Sequence, residues 1–112
     1  MIMEKGSLLK GICQGMNLTG RYTKTITGFA DNVATTIVKL SRKNTEVVAH
    51  VGAGNVNFSA NSRYLYDGTT ARAVFESNGS NVILSLSGAD VQARQVGTGS
   101  VQTLHVSVSY LR

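Results

Sequence analysis

The sequence predicts an all-β protein: a single antiparallel β-sandwich, jelly-roll or immunoglobulin-like, of about eight short strands with an N-terminal arm. Three observations carry this reading. The 112 residues include 13 Val, 11 Thr, 12 Gly and 8 Asn, and no Pro or Trp. Val and Thr suit strands, and Gly and Asn suit the turns between them. Charged residues make up only 15%, which leaves a helical bundle or coiled coil without its usual Glu and Lys. From Gly20 onward, apolar residues alternate with polar ones, and turn residues recur at roughly ten-residue intervals.

Residues 1–19 form the arm or an irregular first strand. Leu8, Leu9, Ile12 and Met16 approach helical spacing, but Gly6, Gly11 and Gly15 weaken a helix there. Residues 20–112 form the sandwich. The first strand, 21–27, puts Tyr22 and Ile26 on one face. Ala30-Asp31-Asn32 turns the chain into 33–41, where Ala34, Val38 and Leu40 share a parity. Residues 42–45 turn it again into the short apolar strand 46–51, which Gly52-Ala53-Gly54-Asn55 ends. Residues 56–59 read as a brief strand, and Asn61-Ser62 leads into 63–66. Asp67-Gly68 is a strong hairpin signal. Beyond it, Ala71, Ala73 and Phe75 point one way and Arg72, Val74 and Glu76 the other. After Asn78-Gly79-Ser80-Asn81, Val82, Leu84 and Leu86 alternate with Ile83, Ser85 and Ser87. Gly88-Ala89-Asp90 precedes a strand over 91–96, and Gly97-Thr98-Gly99 is the last turn. Leu104, Val106, Val108 and Tyr110 then alternate with His105, Ser107, Ser109 and Leu111. Such alternation gives each strand one buried and one wet face.

The net charge of +5 is unevenly placed: seven basic and two acidic residues lie in 1–43, whereas four of each sign lie in 44–112. Arg21, Lys24, Lys39, Arg42 and Lys43 are therefore the candidate contact for an acidic partner surface or for nucleic acid, with Tyr22 the one aromatic placed to stack on a base.

Chemistry for an enzyme is not evident. His50 and His105 fall on different predicted strands, without a neighbouring His, Cys or carboxylate pair, and no Gly-x-Ser-x-Gly elbow is present. Asp31, Asp67 and Asp90 sit in predicted turns, where a carboxylate usually shapes the loop. Gly52-Ala53-Gly54 and Gly97-Thr98-Gly99 are turns rather than phosphate-binding fingerprints. The single Cys13 excludes an intrachain disulfide and reads as a plain buried thiol. No catalytic residue, metal ligand or cofactor is assigned. No apolar run reaches signal-peptide length or the roughly 20 residues of a membrane span. The protein is expected to be made and kept in a cytosol, or to leave by a route other than Sec, with no membrane partner.

Surface readings remain. Thr103, His105, Ser107 and Ser109 form a stripe of small polar groups along the last strand, and Ser85 and Ser87 form a second. Uncharged strand faces resist pairing poorly, so these residues are the candidate interface for copies of the same protein or for a partner. Tyr64 and Tyr66 are the candidates to stack on a sugar ring or to anchor an interface, with core packing of at least one of them the alternative.

Two stretches carry a resemblance. Gly28-Phe29-Ala30-Asp31-Asn32-Val33-Ala34-Thr35-Thr36-Ile37-Val38-Lys39-Leu40 resembles the opening strands of small all-β structural proteins of tailed bacteriophages. The segment from Ala89-Asp90-Val91-Gln92-Ala93-Arg94-Gln95-Val96-Gly97 through Val106-Ser107-Val108-Ser109-Tyr110-Leu111 is similar in style. The likeness spans roughly residues 28–112; the basic start and the Arg42-Lys43 turn depart from it. It implies a virion component with no catalytic residues. The expected function is a non-enzymatic capsid, decoration, tail or fibre protein. It would assemble as a homo-oligomer, a trimer among the forms considered, and contact other virion proteins. A carbohydrate- or receptor-binding module and a small basic nucleic-acid-binding protein are the alternatives.

Overall fold

The alternation of apolar and polar side chains produces two antiparallel sheets whose apolar faces meet. The computed structural model describes residues 18–52 and 55–111; the arm to Asn17 with Cys13, residues 53–54 and Arg112 lie outside them. The strands are β1 (Leu18–Phe29), β2 (Thr35–Lys39), β3 (Asn44–Val51), β4 (Ser59–Tyr66), β5 (Ala71–Ser77), β6 (Val82–Ser87), β7 (Asp90–Gln95) and β8 (Gln102–Leu111). A five-stranded sheet has the order β1-β8-β3-β4-β5 and a three-stranded sheet the order β2-β7-β6. Every strand pairing is antiparallel. The first strand thus begins two residues before the expected domain boundary at Gly20.

The core lies between the sheets. Val47, Ala49 and Val51 of β3, and Leu104, Val106 and Val108 of β8, meet Val82 and Leu84 of β6 and Val91 and Ala93 of β7. Burying each large apolar side chain contributes about 1.5–3 kcal/mol. At the rim, Asp31 in the β1–β2 turn accepts hydrogen bonds from Thr98 N–H (3.1 Å), Thr98 Oγ1 (2.9 Å) and Gly99 N–H (2.8 Å). These donors, the Gly99 N–H foremost, hold the Asp31 carboxyl below its ordinary pKa. Buried Gln95 donates to the carbonyls of Phe29 and Ser100, so the β7–β8 turn is clipped to the end of β1 from two sides.

Four expectations are corrected. Residues 56–59 are not a strand: Val56–Phe58 is a 3-10 turn capped by Asn55, whose side chain accepts from Asn57 N–H. Asn61 and Ser62 do not precede the strand they were expected to lead into but lie within β4, with Ser62 buried and Asn61 exposed. Phe75 does not share a face with Ala71 and Ala73. Tyr64 pairs with Ala73 but Arg63 pairs with Phe75, so Val74 is an extra residue, a β-bulge that reverses the parity of the strand's second half. Ile37 is likewise an extra residue against β7, which buries it beside Val38, while Ala34 is exposed. The Ile37 carbonyl accepts from Lys24 Nζ at 2.9 Å, joining the edge of β2 to β1.

Candidate functional site

The outer face of the five-stranded sheet holds the most distinctive arrangement of polar side chains. β8 runs between β1 and β3 in a register that places His105 opposite both Thr25 and His50, and His50 opposite Ser59 of β4. The result is one row across four strands: Thr25, His105, His50, Ser59. The two imidazoles stack, with ring centroids 5.0 Å apart and planes 29° from parallel. The next row runs Thr23, Ser107, Val48, Asn61. None of these eight outward-facing residues is Lys, Arg, Asp or Glu. Together, β1, β3 and β8 shape a shallow depression of about 320 Å³ lined by Thr23, Lys24, Thr25, Val48, His50, His105, Val106 and Ser107. Val48 is 39% exposed there. His50 Nδ1 is buried and has no hydrogen-bond partner, an arrangement that costs about 1–3 kcal/mol when nothing offsets it. Charge returns two rows away, where Arg21, Ser109, Glu46 and Arg63 align and Phe75, 43% exposed, sits opposite Arg63.

The sequence places His50 and His105 on separate strands without a partner; the structure makes them partners. The 55 or so residues between them hide the pairing, because register between strands distant in sequence is set by the sheet and not by a turn.

The candidate interface residues divide. Thr103, His105, Ser107 and Ser109 all lie on β8, a central strand with neighbours on both sides, and Ser109 is buried. Ser85 and Ser87 lie on β6, at the edge of the other sheet, where both are exposed. The two stripes belong to opposite outer faces.

The basic candidates divide as well. Arg21 belongs to the outer face of the five-stranded sheet. Lys24 is engaged by the Ile37 carbonyl. Lys39, on the smaller sheet, makes a 3.0 Å ion pair with Asp90. Arg42 lies over the Tyr110 ring, 4.9 Å from its centroid, and Tyr22 stands 6.0 Å from the same ring. Partial burial, with the Tyr110 hydroxyl adding to it, pushes the Tyr22 phenol up to about 12. Lys43 lines a second depression with Leu65, Tyr66, Thr70 and Arg72.

Tyr64 is withdrawn from the ligand-stacking pair. It points between the sheets and is fully buried, because its parity in β4 is that of Ala60 and Ser62. Its hydroxyl reaches Glu76 Oε2 at 3.5 Å. Burial, reinforced by that carboxylate, raises its pKa to about 12. Tyr66 alone borders a surface depression.

The turn carboxylates are structural. Asp67 Oδ1 accepts from the N–H groups of Thr69 and Thr70. Among the described residues no three His, Cys, Asp or Glu side chains cluster as a metal site, and no helix is long and apolar enough to cross a membrane. Compared with protein-family models, with curated proteins and with solved structures, the chain matches none.

Proposed function

We propose that this protein is a non-enzymatic structural subunit of a virus particle, of the tailed-phage kind that its sequence style resembles, and that it assembles with copies of itself. The observation that carries the assembly reading is the outer face of the five-stranded sheet. Two adjacent rows, eight side chains, present hydroxyls, an amide, imidazoles and the exposed Val48 without Lys, Arg, Asp or Glu. Interfaces are depleted of charge at their centres and charged at their rims, and Arg21, Glu46 and Arg63 stand at the rim of this one. Many copies in a particle would add weak contacts through multivalency. The basic residues favour assembly over nucleic-acid binding, since those described are spread over both faces and partly engaged within the chain.

Light scattering on size-fractionated protein across a hundredfold concentration range tests this reading. An oligomer is expected, and Ser107→Glu, which sets a carboxylate in the middle of the uncharged rows, is expected to shift it to monomer. A wild-type protein that stays monomeric at the highest concentration overturns the reading.

A further inference from the structure

We infer that the stacked pair His50 and His105 is a di-imidazole site for a first-row divalent transition-metal ion, of the Cu²⁺, Ni²⁺ or Zn²⁺ class. The two side chains occupy directly opposed positions on adjacent antiparallel strands, where Cβ atoms stand about 4.5–5.5 Å apart. Two imidazole nitrogens bound to one such ion lie about 3 Å from each other, given metal–nitrogen distances near 2 Å. Rings with centroids 5.0 Å apart need side-chain rotation about χ1 and χ2 to aim one nitrogen of each at a shared ion. No hydrogen bond to His50 Nδ1 holds the resting pose against this rotation. A half-turn of the ring exchanges that nitrogen with Cδ2 and brings it from the buried to the open side.

The surroundings select the ion. The depression is lined by imidazole and hydroxyl groups, by Val48 and Val106, and by Lys24, whose ammonium is held by the Ile37 carbonyl; no carboxylate lines it. Ca²⁺ and Mg²⁺, which need several oxygen ligands, gain little there, whereas imidazole suits Cu, Ni and Zn. Thr25 and Ser107 border the pair and can accept hydrogen bonds from water in the remaining coordination positions. Both ligands come from one chain but lie in the face that the assembly proposed above would cover, so binding is measured at a concentration where light scattering shows monomer.

The test uses the full-length protein. Calorimetric titration with Ni²⁺, Cu²⁺ and Zn²⁺ is expected to give one ion per chain, with Ca²⁺ and Mg²⁺ giving no heat. His50→Asn and His105→Asn are each expected to weaken binding at least tenfold. In the unmutated protein, Cu²⁺ is expected to broaden the ring resonances of His50 and His105 ahead of all others, which makes the test independent of how the variants fold. Absence of binding, binding unchanged by both substitutions, or first broadening at any other residue overturns the inference.

Discussion

Asp31 and Thr98, 67 positions apart in the chain, are joined by hydrogen bonds from both the backbone N–H and the hydroxyl of Thr98 to one carboxylate. The contact fastens the turn after β1 to the turn before β8. Its dependence on charge gives it a pH signature. The folded-state pKa of Asp31 lies below its unfolded value of about 3.9. The stabilisation is therefore complete above that value and is lost as pH falls through the lowered one. Asp31→Asn is expected to be less stable than the wild type near neutral pH, and the gap is expected to narrow in acid. Urea unfolding of both proteins at about pH 7 and about pH 3 measures it.

Gly79 is expected to resist replacement. A Cβ there would stand 2.5 Å from the Asn57 carbonyl oxygen, 2.6 Å from that of Ser59 and 2.7 Å from that of Val56. These are backbone atoms of the 3-10 turn and its flank, so no side chain can move aside. Gly79→Ala is expected to cost about 3 kcal/mol, the upper part of the usual overpacking range. At Gly28 a Cβ meets open space but φ is +69°, and Gly28→Ala is expected to cost only about 1–2 kcal/mol. Denaturant midpoints for the two variants separate steric from conformational cost.

Alkaline pH addresses the two phenols whose pKa values are raised, Tyr64 buried and Tyr22 partly exposed. Tyr64 and Tyr22 both have pKa values raised to about 12, against about 10 in an unfolded chain. Their contribution is complete below the unfolded value and is lost as pH rises through the folded one. Stability is expected to decline from about pH 10 upward. Tyr64→Phe is expected to flatten the decline and to remove one late-ionising group from the tyrosinate absorbance titration.

Thr45 offers a stabilising change. The side chain is fully buried and its Oγ1 has no hydrogen-bond partner. Thr45→Val keeps the shape and removes the stranded hydroxyl. A gain of about 1 kcal/mol is expected, read as a higher urea midpoint with an unchanged slope.

How far the sequence carried the fold can be judged strand by strand. The alternation in 104–111 and 82–87 was legible because β8 pairs with β3, and β6 with β7, without irregularity over those residues. The turns at Asp31-Asn32, Asp67-Gly68 and Gly97-Thr98-Gly99 were legible from turn chemistry. Parity failed at Phe75 and Ile37, where a bulge adds one residue that nothing in the local pattern announces. Asn61-Ser62 read as the lead-in to a strand because propensity is local, whereas membership of a central strand is decided by neighbours on either side. The same limit hid the histidine pair. Each residue was visible, but the register that joins β3 to β8 belongs to the assembled sheet.

The bulge in β5 has a consequence for chain length. Val74 is the surplus residue between Ala73, which faces the core, and Phe75, which faces out. Were Val74 deleted, the strand would alternate without interruption, Ala71 and Ala73 would remain inside, and Phe75 would remain outside. Length and pattern are therefore uncoupled at this one position. Elsewhere in the strand, loss of a residue would turn a core side chain toward solvent. At Val74 the chain holds a residue in reserve.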